Sequence, residues 1–192
     1  MTFAFYSAEH RYELHGHTVP SVSEIIAPLV DYSMVPEERL NFARDRGTAV
    51  HAACHLDDID DLDESTVDAE HVLPYLIAWR KFKRDHNPAI ELSEEPLYHE
   101  GLRFAGTPDK WMVINGARIG GDLKTVAQMS PVTGVQLSGY QLLVKDRKGW
   151  GARERWGIQL RKDGSYRVTK YPDETATFLS LLNLYNWRKK HA

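Results

Sequence analysis

Two acidic side chains and one basic side chain in the middle of this 192-residue chain have the spacing of residues on two adjacent β-strands. Asp109 is separated by twelve residues from the segment Asp122-Leu123-Lys124. Residues 117–125 have the composition of a β-strand, in which alternate side chains share a face about 6.6 to 6.8 Å apart. Asp122 and Lys124 are therefore predicted to point the same way, while Leu123 points into an apolar core.

A second strand, predicted over residues 103–114, would bring the Asp109 carboxylate close to that of Asp122. Two carboxylates about 4 Å apart repel by about 4 kcal/mol at an effective dielectric constant of 20, so the pair needs a cation or a shared proton. Carboxylate oxygens suit Mg²⁺ or Mn²⁺. The ammonium of Lys124 could hold an attacking water and offset charge on a phosphate. The pattern predicts metal-dependent cleavage of a phosphodiester bond.

The alternative is that Asp109 caps a turn and that Asp122 and Lys124 form an ordinary ion pair on the surface. For an Asp-x-Lys pattern alone, this alternative is the more common outcome. The metal-site hypothesis therefore depends on further motifs.

Four more short motifs accompany the Asp-x-Lys pattern. The full set is Arg46-Gly47-Thr48-Ala49-Val50-His51, Glu94-Glu95-Pro96-Leu97, Gly106-Thr107-Pro108-Asp109, Asp122-Leu123-Lys124-Thr125 and Gln136-Leu137-Ser138-Gly139-Tyr140. In this order they resemble the PD-(D/E)XK nuclease superfamily, in its RecB-like and phage-exonuclease branch, over residues 19–144. Each motif is weak alone, but five in this order are not expected by coincidence.

The resemblance implies both a fold and a set of site residues. The implied fold is of the α/β (α+β) class, a restriction-endonuclease-like core with a mixed central β-sheet flanked by helices and an N-terminal helical segment. The implied metal ligands are His51, Asp109, Asp122 and the carbonyl of Leu123. The implied catalytic set is Asp109, Asp122, Lys124, Glu94, Gln136 and Tyr140, in which the last two residues would brace the phosphate or the lysine.

The accessory acid is either Glu94 or Glu95. If residues 90–98 form one strand, alternation puts Glu94 on the face of Ile90 and Leu92, whereas Glu95 shares the opposite face. An acid at the end of a buried face points toward a site, so Glu94 is the favoured candidate.

The implied activity is that of a Mg²⁺-dependent deoxyribonuclease, with Mn²⁺ as a substitute and DNA as the partner. An exonuclease of DNA recombination or repair is favoured, for which a single-strand annealing or recombination protein and an oligomeric state are further expectations. The alternatives are a structure-specific endonuclease and an inactive nucleic-acid-binding module of the same fold. An iron–sulfur cluster, found in some relatives, is excluded because Cys54 is the single cysteine.

Composition bounds the remaining possibilities. With 42% hydrophobic and 27% charged residues, the chain is predicted to form one nuclease domain over residues 1–192. The sequence has neither a signal-peptide pattern at its start nor an apolar run of membrane-spanning length. A cytoplasmic location is therefore expected, in the host cytoplasm for a phage-encoded protein, and no membrane partner.

Charge is distributed unevenly along the chain. The net charge is −3, yet residues 145–192 contain 12 Lys and Arg against 5 Asp and Glu. Such groups bind phosphates without reading sequence. The cluster expected to do so is Lys145, Arg147, Lys148, Arg153, Arg155, Arg161 and Lys162. An ordinary solvated face is the alternative.

Periodicity and capping signals predict the elements that position these residues. Helices are expected from a Ser21 cap to about residue 32, and over residues 36–56, 67–86, 131–145 and 173–190. Strands are expected over residues 90–98, 103–114, 118–125, 153–161 and 166–171, after a small hairpin at residues 10–17. A zinc site at His51 and His55 lacks further ligands, so His55 is expected on the surface. The acidic residues 57–64 are expected to form a solvated linker.

Overall fold

A computed structural model describes residues 2–191 and has a five-stranded sheet at its centre. The strands are β1 Phe3–Tyr6, β2 Arg11–Leu14, β3 His17–Val19, β4 Ala89–Ser93, β5 Leu97–His99, β6 Phe104–Gly106, β7 Lys110–Ile114, β8 Ala117–Lys124, β9 Glu154–Leu160 and β10 Tyr166–Tyr171. The α-helices are α1 Val22–Ile26, α2 Glu37–Asp58, α3 Leu73–His86, α4 Val132–Lys148 and α5 Thr175–His191. No helix in residues 2–191 has both the length and the apolar character that crossing a membrane requires.

The central sheet is mixed and has the order β10-β9-β8-β7-β4. Strands β8 and β9 are parallel, whereas the other neighbouring pairs are antiparallel. The ends of β4, β8 and β9 therefore lie at the same edge as the beginning of β7. This edge, which we call the site edge, is where residues that follow or precede those strands must meet.

Helices cover both faces of the sheet and form two separate apolar cores. On one face, α2 and α3 pack through Trp79 and Phe82 against Met112, among others. On the other, α1, α4 and α5 pack against Trp111, with Phe178 of α5 in the centre. The mixed α/β class with a helix-flanked central sheet, expected for a restriction-endonuclease-like core, is confirmed.

The N-terminal helical segment follows a three-stranded antiparallel sheet, β1-β2-β3, whose second and third strands confirm the predicted hairpin. Helix α1 then begins with the predicted cap. The Ser21 hydroxyl accepts from the Glu24 N–H, and the Glu24 carboxylate accepts from the Ser21 N–H. The helix was expected to reach residue 32, but it ends at Ile26 and continues as a 3-10 turn, because Pro28 has no N–H to donate.

Two predicted long strands are each divided in the structure. The expected strand over residues 90–98 is β4 followed by β5, and that over residues 103–114 is β6 followed by β7. Strands β5 and β6 pair in a sheet of their own. Pro96 and Pro108 lie at the two breaks, where they cannot donate to a strand ladder.

Helix α3 was expected from residue 67 and begins instead at Leu73. The Asp68 carboxylate accepts from the N–H groups of Glu70 and His71 at 2.8 and 2.9 Å. Side-chain bonds of this kind hold the backbone in a turn and compete with helix formation. The other predicted helices end within three residues of their expected positions at the C-terminal side.

Two helix-interior glycines offer a matched test of helix packing. A Cβ at Gly139 of α4 would lie 2.5 Å from the Phe178 ring, whereas one at Gly47 of α2 would have nothing within 4 Å. Gly139→Ala is expected to lower the free energy of unfolding by about 1–3 kcal/mol through overpacking. Gly47→Ala is expected to raise it by up to about 1 kcal/mol through helix propensity. Urea unfolding of both variants measures the two signs, and a stabilised Gly139→Ala protein would contradict this packing.

Candidate metal centre

Four elements deliver polar side chains to the site edge. Asp109 immediately precedes β7, Glu94 immediately follows β4, and Asp122 and Lys124 lie at the end of β8. Helix α2 crosses the edge and contributes His51. The topology of the sheet thus assembles residues that are up to 73 positions apart in the sequence.

The side chains of His51, Glu94 and Asp109 lie near enough to one another to hold one metal ion, and we call them the close group. One atom from each lies within 4.8 Å of the others. The Nδ1 atom of His51 is 3.0 Å from the Glu94 carboxylate and 3.6 Å from that of Asp109. One imidazole and two carboxylates are a donor set that suits a divalent cation.

The His51 imidazole also contacts the backbone of β8. Its Nε2 atom lies 3.0 Å from the Leu123 carbonyl oxygen. Burial by itself would lower the pKa of His51, but Asp109 and Glu94 outweigh that effect and raise the pKa to about 9. At neutral pH the ring is therefore protonated, donates from both nitrogens, and must lose a proton before it ligates a metal.

Asp109 is tied to β8 as well as to His51. Its carboxylate accepts from the Leu123 N–H at 2.7 Å. Burial raises the pKa of the Asp109 carboxyl, although the His51 charge opposes the shift. The residue therefore sits where a second positive charge would stabilise its ionised form.

Asp122 is fully buried and pairs with Lys124. Its side chain is 0% exposed, and Lys124 Nζ lies 2.7 Å from Oδ2. The other oxygen, Oδ1, is buried without a hydrogen-bond partner within residues 2–191. Burial raises the pKa of this carboxyl to about 6 against the effect of Lys124. An unsatisfied buried carboxylate is costly unless a cation compensates it.

The two predicted ligands Asp109 and Asp122 are therefore not equivalent. Asp109 belongs to the close group with His51 and Glu94, whereas Asp122 does not. The two carboxyls still influence each other, since Asp109 raises the pKa of Asp122. A cation that used both would bridge the close group and the Asp122–Lys124 pair.

Lys124 leads into a chain of polar contacts on α4. Its Nζ donates to the Gln136 side-chain oxygen at 3.1 Å, and the Gln136 amide donates to the Tyr140 hydroxyl at 3.1 Å. Burial by itself would lower the pKa of Lys124, but Asp122 and Asp109 outweigh it and raise the pKa. The lysine is therefore a stable ammonium. Gln136 and Tyr140 lie four residues apart on one helix face, as the sequence predicted.

Glu94 faces the centre for a reason other than the predicted one. Strand β4 has an irregular register between Ile90 and Leu92 and ends at Ser93, so simple alternation does not reach Glu94. Glu94 instead has a positive φ of 50°, and its N–H donates to the Asp109 carbonyl at 3.1 Å. Glu95 is exposed and pairs with Lys148.

Arg46 and Gly106 have roles that the sequence analysis missed. Arg46 donates to the Thr125 carbonyl at 3.1 Å and so holds α2 against the residue after Lys124. A Cβ at Gly106 would lie 2.9 Å from the Tyr140 ring, so glycine there permits the close approach of β6 to α4. Both residues belong to the motifs noted above, and that was the feature of the sequence that could have identified them.

His55 and the acidic run correct two sequence expectations. His55 is half-buried rather than on the surface, and its Nδ1 lies 2.9 Å from the Ser93 hydroxyl. The acidic run was expected to be a solvated linker, but Asp57 and Asp58 belong to α2 and are paired with cations. Side chains from α3 and β7 reach them, which residue spacing alone does not reveal.

The expected basic cluster does not form one surface. Arg153 and Arg161 flank opposite ends of β9, and Arg155 is buried in an ion pair with Asp173. Lys148 is paired with Glu95. Arg161 follows the end of β9, next to the end of β8, and so lies at the site edge.

No family model and no curated protein matches this sequence. Among solved structures, an alkaline exonuclease, LHK-Exo, from Laribacter hongkongensis is similar over 89% of this chain and 92% of its own, at 13% identity and a TM-score of 0.38. LHK-Exo in complex with dAMP is similar over 90% and 93%, at 14% identity and a TM-score of 0.37. The structure of SSO0001 is similar over 58% of this chain, which spans 55% of that protein, at 18% identity and a TM-score of 0.35.

Glu94 and its neighbour Glu95 provide a matched test of metal binding. Glu94→Gln removes a carboxylate from the close group, so it is expected to weaken Mn²⁺ binding by about tenfold or more. Glu95→Gln changes an exposed acid of the same type and is expected to leave the affinity unchanged. Isothermal titration calorimetry measures both dissociation constants, and equal values would argue against a metal at this position.

Proposed function

We propose that this protein is a Mg²⁺-dependent deoxyribonuclease, most specifically an exonuclease that acts in DNA recombination or repair. The observation that carries the proposal is the convergence of Asp109, Glu94 and the buried Asp122 carboxylate beside the Lys124 ammonium. This combination fits the resemblance to the PD-(D/E)XK superfamily noted in the sequence.

The chain's residues fit a hard divalent cation. His51, Glu94, Asp109, Asp122 and the Leu123 carbonyl are the groups that would hold it. Carboxylate and carbonyl oxygens are the ligands that Mg²⁺ prefers, and Oδ1 of Asp122 is buried without a hydrogen-bond partner within residues 2–191. A bound ion would supply positive charge for the phosphate oxygens and lower the pKa of a coordinated water.

Lys124 acts as a fixed positive charge in the proposed reaction. Asp122 and Asp109 raise its pKa, which favours the protonated form. Its ammonium donates to an attacking water or to a phosphate oxygen, where charge builds in the transition state. Asp122 and Gln136 hold the ammonium from two sides.

Gln136 and Tyr140 support the lysine in this proposal. The Gln136 oxygen accepts from Lys124, and its amide is held by the buried Tyr140 hydroxyl. This chain of bonds limits the positions that the ammonium can take. These contacts favour a role for Gln136 and Tyr140 in positioning the lysine over direct contact of either residue with the phosphate.

DNA is the proposed substrate, and Arg161 and Lys162 are the cations of the predicted cluster that are placed to meet it. Both lie in the turn after β9, at the site edge, and the acidic partner of Lys162 within residues 2–191 is Glu70, at 4.0 Å. Contacts of this type attract the phosphate backbone without reading sequence. Binding that ignores sequence suits an enzyme that degrades DNA from its ends.

Lys124 is the residue whose loss tests the chemistry most directly. Lys124→Met is expected to lower kcat on linear DNA by about 10²- to 10³-fold, the typical cost of removing one electrostatic stabiliser. Lys81→Met is the control, because Lys81 is an exposed lysine of α3 paired with Asp85. Time courses on end-labelled duplex and single-stranded DNA, with Mg²⁺ and with EDTA, measure the effect. Full activity of Lys124→Met, or full activity of the parent in EDTA, would contradict the proposed mechanism.

The form of the DNA separates the exonuclease from a structure-specific endonuclease. Linear duplex is expected to be degraded in Mg²⁺, while a covalently closed circle of the same sequence stays intact because it has no end. Nicking of the circle at a comparable rate would assign the same chemistry to an endonuclease. Binding of both forms with cleavage of neither would indicate an inactive module.

A further inference from the structure

A second set of buried polar side chains lies behind the metal centre, between α2 and the adjoining ends of β4 and β7. It consists of His55 and Asp58 from α2, Ser93 from β4 and Lys110 from β7, and we call it the polar seam. Asp58 and Lys110 are 1% and 0% exposed. None of the four residues belongs to the proposed catalytic set.

The Lys110 ammonium is the centre of the polar seam. It lies 2.7 Å from Asp58 Oδ2 and donates to the Ser93 hydroxyl at 2.6 Å. The same hydroxyl lies 2.9 Å from His55 Nδ1. The other Asp58 oxygen accepts from the Trp79 indole N–H at 2.8 Å. A buried ammonium with these contacts has little freedom to move. Any shift would break a hydrogen bond or the ion pair, and no water is at hand to replace it.

The polar seam continues the line of the metal centre along α2. His51, His55 and Asp58 follow one another at spacings of four and three residues, so they lie on one face of the helix. Each contacts a different part of the sheet edge. His51 meets Glu94, His55 meets Ser93, and Asp58 meets Lys110.

The sheet side of the polar seam is directly bonded to the residues of the close group. Ser93 and Lys110 are opposite each other in the pairing of β4 with β7, and the next residues outward are Glu94 and Asp109. The Glu94 N–H donates to the Asp109 carbonyl. A shift of α2 along the sheet would therefore change the distance from His51 to both carboxylates unless the polar seam moved with it.

We propose that Lys110 is a positioning residue that fixes the separation of His51, Glu94 and Asp109 by joining α2 to β4 and β7 through Asp58 and Ser93. The inference rests on the proposed function in one respect, that this close group binds a divalent metal. It adds that metal affinity depends on an ion pair that contacts neither the metal nor DNA.

Lys110 and Lys83 form a matched pair for the test, since both approach the Asp58 carboxylate. Lys83 reaches Asp58 Oδ1 at 3.1 Å from α3 and has no contact with β4 or β7 in the hydrogen bonds and ion pairs of residues 2–191. Lys110→Met removes the link between α2 and the sheet. Lys83→Met removes a cation from the same carboxylate and leaves that link in place.

The measurement is the Mn²⁺ dissociation constant of the full chain by isothermal titration calorimetry, with kcat and KM on linear DNA alongside. In Lys110→Met the affinity is expected to fall about 10- to 100-fold, the usual cost of losing a residue that orients metal ligands. We expect kcat to fall with it while KM for DNA stays constant. Lys83→Met is expected to match the parent in all three quantities, whatever its stability.

The possible outcomes separate this inference from the function that it builds on. If the parent binds no Mn²⁺, the proposed function and the inference both fail. If the parent binds and the two variants have equal affinities, only the inference is overturned. If Lys110→Met does not fold, the double variant Asp58→Asn/Lys110→Met, which leaves no unpaired charge in the pair, is judged by the same criteria.

Ser93→Ala keeps the ion pair and removes the link to β4. It is expected to weaken Mn²⁺ binding to a smaller degree than Lys110→Met. Parent-like affinity in Ser93→Ala would contradict the proposed role of the polar seam.

Discussion

The organisation of this protein follows from the need to balance negative charge at one buried edge of a sheet. Glu94, Asp109 and Asp122 bring carboxylates to that edge, and His51 and Lys124 bring the positive charges. Like charges about 4 Å apart cost about 4 kcal/mol at an effective dielectric constant of 20. With all five groups ionised, the site keeps an excess of negative charge. Burial raises the pKa values of both aspartates, and the neighbouring carboxylates add to the shift. A bound cation would offset this excess.

The polar seam a few residues away shows the opposite arrangement. Asp58 has cationic partners from two elements, and the Lys110 ammonium has both a carboxylate and a hydroxyl. Buried ion pairs contribute little net stability, because desolvation offsets their attraction, but they do specify geometry. The candidate metal centre, in which carboxylates outnumber cations, thus lies beside a seam in which one carboxylate, that of Asp58, has two cationic partners.

Successive side chains of β8 point to opposite faces of the sheet, and this alternation separates the two sides of the candidate metal centre. Leu123 turns its side chain into the core under α2 and α3, while its backbone N–H and carbonyl meet Asp109 and His51. Asp122 and Lys124 point toward the opposite face, where Gln136 of α4 receives the ammonium. Residues adjacent in sequence therefore serve the ligand group on one side and the fixed charge on the other. Both sides are in register because they share one strand.

The sequence by itself determined what depends on near neighbours in the chain. The alternation in residues 117–124 and the Ser21 cap follow from local patterns, the order of short motifs implied the mixed α/β class through a family resemblance, and the structure agrees with all three. Only the tertiary structure decided that Glu94 faces the centre through a positive φ and a bond to the Asp109 backbone, and that Asp58 is buried against Lys110 rather than solvated. The physical reason is that periodicity reports which face a side chain occupies, whereas desolvation and charge pairing depend on which distant segments pack against that face.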